Sequence, residues 1–346
     1  MKACVIRKAR ELVLTEAPDP IPGPHEVLIR LEAGGICGSD LHYFFDGGAG
    51  DFRLREPMIL GHEVAGTVLD VGSEVLRVAP GDRVAVDPNQ PCGTCRQCRA
   101  GRRNLCDNVR FYGSAAHFPH VQGVFSERFV APAGNCHAIP PSLSFREAAC
   151  AEPLAVAFHA VARLGSVWNA SVLIVGSGPI GVLIAAAARM AGAARIMVTD
   201  LIDEPLRIAL AMGATEAVNV QAEPERLAAH REGRGVFDIA VEASGSAAGL
   251  AAAIESTRPG GTVLQVGTLP GGQVAAPLSR VVPKELRFAG TFRFDGEYGH
   301  AVAALASRRI DVAPLLTHEF TFGDLEQAFL TAADKRRSMK VSLRPS

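Results

Sequence analysis

Short apolar runs separated by Gly and Pro fill the first third of the chain. Val27-Leu28-Ile29, Val64 to Leu69 and Val84-Ala85-Val86 are examples, and turn-forming residues stand between them at short intervals. Brief apolar segments bounded by turn formers are typical of β-strands. The pattern therefore predicts an irregular, β-rich domain over residues 1–147.

The middle of the chain alternates between helical and strand-like segments. From Phe145 to Leu164 it is rich in Ala and other helix formers, and Pro153 is expected to interrupt that helix. Alternation of apolar strands with helical stretches indicates βαβ units and a parallel sheet. We therefore predict a second domain over residues 148–285. Its strand candidates are 171–176, 194–199, 237–241 and 261–266.

The last segment resembles the first domain in texture. It begins with the apolar stretch Leu286 to Phe294, and helices are predicted near 297–307 and 323–333. We see no internal repeat. The arrangement predicts that residues 286–346 return to the β-rich domain and complete it.

Composition and charge narrow the class of protein. The 346 residues are 48% hydrophobic and 21% charged, values ordinary for a soluble enzyme of two domains. No apolar run approaches the roughly 20 residues of a membrane helix, and a net charge of −1 offers no general attraction to nucleic acid. The first residues lack the apolar segment of a signal peptide, so we expect the cytoplasm and a small-molecule substrate.

Four cysteines within 15 residues form the sharpest local motif. Cys92, Cys95, Cys98 and Cys106 follow C-x2-C-x2-C-x7-C spacing in a loop rich in Gly and Arg. Zinc favours a tetrahedral shell of four thiolates, and four protein ligands leave no position for substrate. Disulfides are the alternative, which a chain without a secretory signal disfavours. We predict a structural zinc ion in this loop.

A glycine-rich turn follows the strand candidate at 171–176. Gly176, Gly178 and Gly181 form G-x-G-x-x-G, with Pro179 and Ile180 opening an Ala-rich helix. The first glycine permits the tight turn, the second lets the backbone approach a diphosphate, and the third lets the helix pack closely. The exposed N–H groups of the helix end would face the diphosphate. The sequence therefore predicts a dinucleotide site.

Asp200 is the candidate for cofactor choice. It ends the next strand candidate, 19 residues after Gly181. There its carboxylate would bind the adenosine ribose and repel a 2′-phosphate, which favours NAD over NADP. The alternative is an Asp that only caps the helix beginning near Asp203, and Arg207 could soften the preference.

Cys37 and the pair His62-Glu63 are the remaining candidates for metal ligands. Taken singly, they would be a buried thiol, a satisfied histidine and a surface glutamate. Beside a cysteine lobe and a dinucleotide motif, they indicate a second, open metal site.

These motifs together carry a family resemblance over the whole chain. Gly61-His62-Glu63 with Gly66 and Gly72, the cysteine lobe and the glycine turn resemble the zinc-dependent medium-chain dehydrogenases/reductases. The resemblance implies an α/β protein: a GroES-like β-rich catalytic domain, with its zinc lobe near 88–110, and a Rossmann domain with a doubly wound parallel sheet. It also implies a homo-oligomer, a dimer or a tetramer.

Two further stretches narrow the branch. Ile36 to Tyr43 and Ala151 to Val156 are similar to the sorbitol dehydrogenase-like members. Residues 110–121 and Gly290 to Phe294 are most similar to the members that oxidise L-idonate.

The resemblance also assigns roles to individual residues. It places the catalytic zinc on Cys37 and His62 with a carboxylate, either Glu63 or Glu152, and the sequence does not decide between the two. Ser39 and His42 would relay the hydroxyl proton toward solvent through the cofactor ribose. Substrate-pocket positions are matched by Tyr43, Phe111 and Arg293.

The implied reaction is zinc-dependent oxidation of a secondary alcohol, with hydride transfer to NAD and with NADP as the alternative cofactor. Conversion of L-idonate to 5-keto-D-gluconate is the favoured reading. A sorbitol or xylitol dehydrogenase and an L-threonine dehydrogenase are alternatives within the class. An alternative outside the enzyme class is a nucleotide-binding protein that kept the fold and lost catalysis. A zinc-free reductase of the same superfamily is a further alternative, but it conflicts with both predicted metal sites.

Overall fold

The computed structural model describes residues 1–346, in which two sheets of different construction organise the chain. The strands are β1 (Lys2–Lys8), β2 (Glu11–Glu16), β3 (Glu26–Gly35), β4 (Gly48–Ala49), β5 (Phe52–Arg53), β6 (Met58–Ile59), β7 (Glu63–Val71), β8 (Arg83–Val86), β9 (Asn89–Gln90), β10 (Arg110–Phe111), β11 (Arg128–Pro132), β12 (Cys136–Ala138), β13 (Ser171–Val175), β14 (Arg195–Asp200), β15 (Glu216–Asn219), β16 (Phe237–Glu242), β17 (Thr257–Gln265), β18 (Arg287–Gly290), β19 (Leu316–Thr321) and β20 (Lys340–Arg344).

Ten α-helices connect or cover these strands. No helix combines the length and the apolar character that a membrane span requires. They are α1 (Gly38–Asp46), α2 (Arg96–Arg99), α3 (Phe145–Ala149), α4 (Ala151–Leu164), α5 (Pro179–Met190), α6 (Asp203–Ala211), α7 (Pro224–Ala228), α8 (Ala247–Ser256), α9 (Tyr298–Ala306) and α10 (Leu325–Ala333).

The β-rich domain is built on a seven-stranded sheet in the order β12-β8-β7-β3-β20-β19, and β11 also pairs with β3. All its pairings are antiparallel except that of β19 with β20. A three-stranded sheet, β2-β1-β6, packs beside it. The C-terminal strand β20 thus lies next to β3, so the end of the chain completes the domain that its beginning starts.

The second domain carries six parallel strands in the order β15-β14-β13-β16-β17-β18. This is the strand order of a dinucleotide-binding doubly wound sheet, with its topological switch point between β13 and β16. The four predicted strands are present as β13, β14, β16 and β17. The short strand β15 was not predicted from the sequence, because its four residues hold only two apolar side chains.

One boundary differs from the prediction. Residues 287–290, placed by the sequence in the return segment, form β18, which pairs with β17 from Thr262–Arg287 to Gln265–Gly290. The stretch is apolar and strand-like in either domain, so pattern alone could not assign it. The parallel sheet therefore extends past residue 285, and the return to the β-rich domain follows β18.

Helices α3 and α4 join the two domains. Pro153 does not interrupt the helix as predicted; the break lies at Cys150, between α3 and α4. Pro153 sits in the first turn of α4, where no intrahelical partner is needed for its missing N–H. Buried residues of α4, α5 and α9 share one core with Ala65 and Ala85 of the β-rich sheet. Glu152 in the first turn of α4 is thereby fixed at the junction of the domains.

Candidate active site

Two neighbouring strands bring the predicted metal ligands together. Strand β3 leads into Cys37, strand β7 begins at Glu63, and Gly35 pairs with Glu63 across the two strands. Gly61, with φ 94°, makes the turn before His62, a left-handed conformation that favours glycine. One ligand atom from each of Cys37, His62 and Glu63 lies within 4.8 Å of the others.

Lys340, a residue distant in sequence, balances the negative charge of Glu63 in this cluster. Lys340 Nζ lies 2.8 and 2.7 Å from the two carboxylate oxygens of Glu63, and both side chains are buried. Although burial disfavours its charge, Glu63 raises the pKa of Lys340 above its ordinary value. Burial, together with the negative charge of Glu63, raises the pKa of the Cys37 thiol to about 11. A bound divalent cation would reverse that preference and hold the thiolate.

Asp40 fixes the surroundings of His62. Its carboxylate accepts hydrogen bonds from the backbone N–H of Cys37 at 3.0 Å and of Gly61 at 3.2 Å. His62 Nδ1 is buried without a hydrogen-bond partner, and Asp40 Oδ1 lies 3.9 Å from it. Burial raises the pKa of Asp40. An orphaned imidazole nitrogen beside a thiol and a carboxylate is a donor set that fits zinc.

Glu152 approaches the cluster from the other domain but stands outside the group of three. It is 5% exposed, and burial raises the pKa of its carboxyl group to about 8; His62 opposes this shift, while Glu63 and Cys37 add to it. Of the two glutamates left open by the sequence, the structure groups Glu63 with Cys37 and His62.

Two of the predicted substrate residues, Phe111 and Arg293, lie in succession beside His62: each packs on the next ring. The Phe111 ring lies 5.2 Å from the His62 ring, and Arg293 Cζ lies 4.0 Å above the centre of Phe111. Arg293 Nη1 is buried and unpartnered, and burial lowers the pKa of the guanidinium to about 10. The buried Tyr43 hydroxyl accepts a hydrogen bond from Ala115 N at 2.9 Å. The Arg293 cation is thus held on Phe111, which contacts the His62 ring, and the Tyr43 phenol is fixed by Ala115.

The predicted relay residues lie on α1. Ser39 is half-buried directly after the Cys37 turn, and His42 is exposed one helical turn later. His42 Nδ1 lies 3.0 Å from Asp46 Oδ2. The pair extends from the cluster toward solvent.

The cysteine lobe is a separate cluster with a local origin. The sulfurs of Cys92, Cys95, Cys98 and Cys106 all lie within 4.8 Å of one another, as one tetrahedral ion requires. Backbone N–H groups point at these sulfurs, among them Cys95 N at 3.4 Å from Cys92 Sγ. Hydrogen bonds from Thr94 and Cys95 lower the pKa of Cys92 to about 5, which favours the thiolate. The donor set fits the predicted structural zinc.

The glycine turn has the shape that a diphosphate requires. A Cβ on Gly181 would lie 1.9 Å from Gly176 O, and one on Gly176 would lie 2.7 Å from Ser244 N. A Cβ on Gly178 would meet nothing within 4 Å, so this glycine faces open space at the start of α5. Close packing behind the turn and an open face before it fit a dinucleotide.

Asp200 ends β14 beside this turn. Its carboxylate accepts hydrogen bonds from Ser177 N and Leu201 N, both at 2.7 Å. Arg207 is exposed on α6, and its guanidinium pairs with Glu204 at 2.6 Å. The structure therefore brings Asp200 to the glycine turn and leaves Arg207 engaged on the helix surface.

Comparison with known proteins accounts for both domains. Residues 23–141 match the alcohol dehydrogenase GroES-like domain family, and residues 179–307 match the zinc-binding dehydrogenase family. L-idonate 5-dehydrogenase (NAD(P)(+)) of Escherichia coli K12 is 37% identical to this chain, over 99% of the chain and 98% of the relative. Sorbitol dehydrogenase of Gallus gallus is 39% identical, over 99% and 96%. The chain belongs to the zinc-binding dehydrogenases.

Solved structures agree. The crystal structure of L-idonate 5-dehydrogenase from Escherichia coli K-12 superposes with a TM-score of 0.94, covering 99% of this chain and 97% of that one, at 37% identity. A zinc-binding dehydrogenase from Sinorhizobium meliloti 1021 bound to NADP gives a TM-score of 0.90 at 30% identity, covering 99% of each chain. The predicted fold class, enzyme class, zinc and nicotinamide cofactor are confirmed.

Three residues of this dehydrogenase escaped the sequence reasoning as site components. Asp40 had a local signal, because it stands three residues after Cys37 and forms a capping box with it. Lys340 had none, since 277 residues separate it from Glu63. Asn104 lies inside the cysteine lobe yet contacts the segment that carries Arg293.

Proposed function

We propose that this dehydrogenase oxidises a secondary alcohol of an aldonic acid with NAD, and that it converts L-idonate to 5-keto-D-gluconate. The observation that carries the proposal is the unpartnered Arg293 side chain beside the cluster of predicted metal ligands. Arg293 is half-buried, its Nη1 is buried and unpartnered, and its guanidinium packs on Phe111, whose ring contacts His62. A buried cation without an ion-pair partner is costly, and a substrate carboxylate would supply a bidentate partner.

The protein's own residues divide the work as follows. Cys37 and His62, with Glu63 as third ligand, would hold the catalytic zinc, and Gly176 to Gly181 would hold the dinucleotide. When bound, zinc supplies Lewis acidity to the substrate hydroxyl, and NAD supplies the hydride acceptor. Ser39 would accept the hydroxyl proton while giving up its own, and His42, exposed beside Asp46, would release a proton to solvent. Tyr43 and Phe111 form walls of the substrate pocket, and because both side chains are buried they exclude water from it.

A substrate panel tests the proposal. Initial rates with NAD and NADP are compared for L-idonate, sorbitol, xylitol, galactitol and L-threonine, with zinc content measured on the same sample. We expect L-idonate to give the highest kcat/KM. A preference for a neutral polyol would discard the aldonate assignment and leave the zinc chemistry in place.

Arg293 variants test the carboxylate clamp itself. Arg293→Ala should lower kcat/KM for L-idonate by about a hundredfold, the scale of a lost charge-assisted pair, and for sorbitol only severalfold. Arg293→Lys keeps the charge but loses the planar fork, so we expect an intermediate loss. Equal losses on both substrates would remove the clamp.

A neutral polyol substrate is the second candidate, supported by the 39% identity to a sorbitol dehydrogenase. Glu152 favours it as well, because this buried carboxylate near Arg293 could balance the guanidinium charge when the substrate carries none.

The role of each glutamate can be separated by paired isosteres. Glu63 shares the group of three with Cys37 and His62, so Glu63→Gln should lose the catalytic zinc. Glu152→Gln should retain zinc and lose turnover. The reverse pattern in metal analysis would make Glu152 the ligand.

We propose a homo-oligomer joined through the edge of the parallel sheet. Strand β18 is that edge, and Phe288 and Phe292 are 44% and 45% exposed there. An exposed apolar edge strand is a template for pairing with a second copy. Light scattering should give a dimer or tetramer, and Phe288→Asp should lower the assembly; a monomeric wild type would exclude it.

A further inference from the structure

The segment from Phe292 to Glu297 is held in place by the cysteine lobe. Asn104 is 6% exposed, and its Nδ2 donates a hydrogen bond to the carbonyl oxygen of Phe292 at 2.8 Å. The neighbouring Arg103 donates from its backbone N and its Nε to Asp295, at 3.2 and 2.7 Å. The lobe therefore contacts the segment on both sides of Arg293.

His159 of helix α4 contacts both Asn104 and Glu297 and so supports the contact between the lobe and this segment. His159 Nδ1 lies 2.9 Å from Glu297 Oε1, and the other oxygen of that carboxylate accepts a hydrogen bond from Asp295 N at 2.8 Å. Because Nδ1–H donates a hydrogen bond to this carboxylate, the Nε2 of a neutral His159 is an acceptor. It lies 3.3 Å from Asn104 Nδ2. The two amide hydrogens of Asn104 thus have two acceptors, His159 and Phe292.

Arg293 has a backbone that needs such support. Its φ of 51° lies in the left-handed region, which non-glycine residues adopt at a cost when the surroundings impose it. The adjacent Phe294 is fully buried, and its ring packs against the ring of Tyr298 on α9. The orientation of the guanidinium over Phe111 therefore depends on how the two flanking residues are held.

We propose that Asn104 is a positioning residue for Arg293, and that through it the cysteine lobe sets the enzyme's preference for an acidic substrate. This rests on the proposed role of Arg293 as a carboxylate clamp. It gives the lobe a part in substrate recognition, in addition to the stability that a structural metal supplies.

Asn104→Asp is the most informative variant, because it keeps the shape of the side chain and replaces the amide donor with a carboxylate oxygen. That oxygen would face two other acceptors, His159 Nε2 and the Phe292 carbonyl oxygen. The variant should raise KM for L-idonate about tenfold, the scale of one lost hydrogen bond with a repulsive contact added, and change kcat by less than about twofold. Asn104→Ala removes the donor without repulsion, so a rise of about threefold is expected. Zinc content should match that of the wild type in both variants. Arg102→Ala is the control: this lobe residue is exposed, and its Nε bonds to Gln97 within the lobe.

A double-mutant cycle separates positioning from a general structural effect. In the Arg293→Ala background, Asn104→Asp should leave the ratio of kcat/KM for L-idonate to that for sorbitol unchanged, whereas in the wild-type background it should lower the ratio. Equal losses on both substrates, a drop in zinc content, or additivity with Arg293→Ala would overturn the positioning role. If Arg293→Ala itself leaves the ratio unchanged, the proposed clamp has failed instead, and the two failures are distinguishable.

Discussion

The two metal clusters of this dehydrogenase are built in opposite ways. The cysteine lobe takes four ligands from residues 92–106, and only Cys106 among them is buried. The catalytic cluster takes Cys37, His62 and Glu63 from the ends of two strands, and its counterion Lys340 comes from a third. A local loop can close on a metal by its own hydrogen bonds, whereas the catalytic cluster exists only when the seven-stranded sheet has formed.

The difference also has an electrostatic side. In the lobe, hydrogen bonds from Thr94 and from the backbone lower the pKa of the Cys92 thiol and favour its thiolate, whereas burial raises the pKa of Cys98. The catalytic thiol is desolvated beside a carboxylate, and its pKa is raised. A buried site of this kind depends on charges that are matched one by one, so single substitutions should affect the two clusters differently.

The largest expected effect is on turnover. Cys37→Ala should lower kcat about a thousandfold or more and remove the catalytic zinc, since the Lewis acid is lost. The cysteine lobe should keep its ion, and the thermal midpoint should change little. Cys4→Ala is the matched control, because it removes a buried thiol outside both clusters. Retained turnover in Cys37→Ala would contradict the assignment.

Next comes the buried ion pair. Lys340→Met should lower the free energy of unfolding by about 3 kcal/mol in zinc-free protein, because it leaves Glu63 charged and unpaired. Urea unfolding followed by circular dichroism measures this. The double variant Lys340→Met with Glu63→Gln should recover most of the loss.

Lys284→Met provides the comparison for that ion pair. Lys284 is equally buried, but its Nζ donates to backbone carbonyls of Ile254, Glu255 and Thr257 instead of a carboxylate. We expect a smaller loss, about 1 kcal/mol. Similar losses for the two lysines would show that charge matching at the catalytic cluster contributes little.

A moderate effect is expected from the lobe. Cys98→Ser should release the structural zinc and lower the thermal midpoint by about 5 °C, while the catalytic zinc stays bound. Protease cleavage should concentrate between residues 92 and 106. Loss of both ions together would mean that the two clusters form as one unit.

The smallest expected effect concerns the cofactor. Asp200→Ala should raise the use of NADP relative to NAD by about tenfold, because a carboxylate next to the glycine turn no longer repels a 2′-phosphate. Asp203→Ala is the control, since this exposed residue starts α6 and bonds to Asn219. If both variants keep the wild-type ratio of rates, the ribose role of Asp200 is wrong.

Features that depend on neighbours along the chain could be predicted from the amino-acid sequence. These are the spacing of Cys92 to Cys106, the glycine turn from Gly176 to Gly181, and the alternation of strands and helices in the parallel domain. Each is local, so its physical requirement appears directly as residue spacing. The grouping of Cys37 with His62 and the glutamates came from the family resemblance.

Other features of the site depend on contacts between distant parts of the folded chain. The register of β3, β7 and β20 places Lys340 on Glu63, and the packing of α4 brings Glu152 to the same junction. The assignment of β18 to the parallel sheet and the contact of Asn104 with Phe292 are likewise invisible in local patterns. Sequence periodicity shows which side of a segment is buried, but the partner it meets is chosen by the packing of the whole chain.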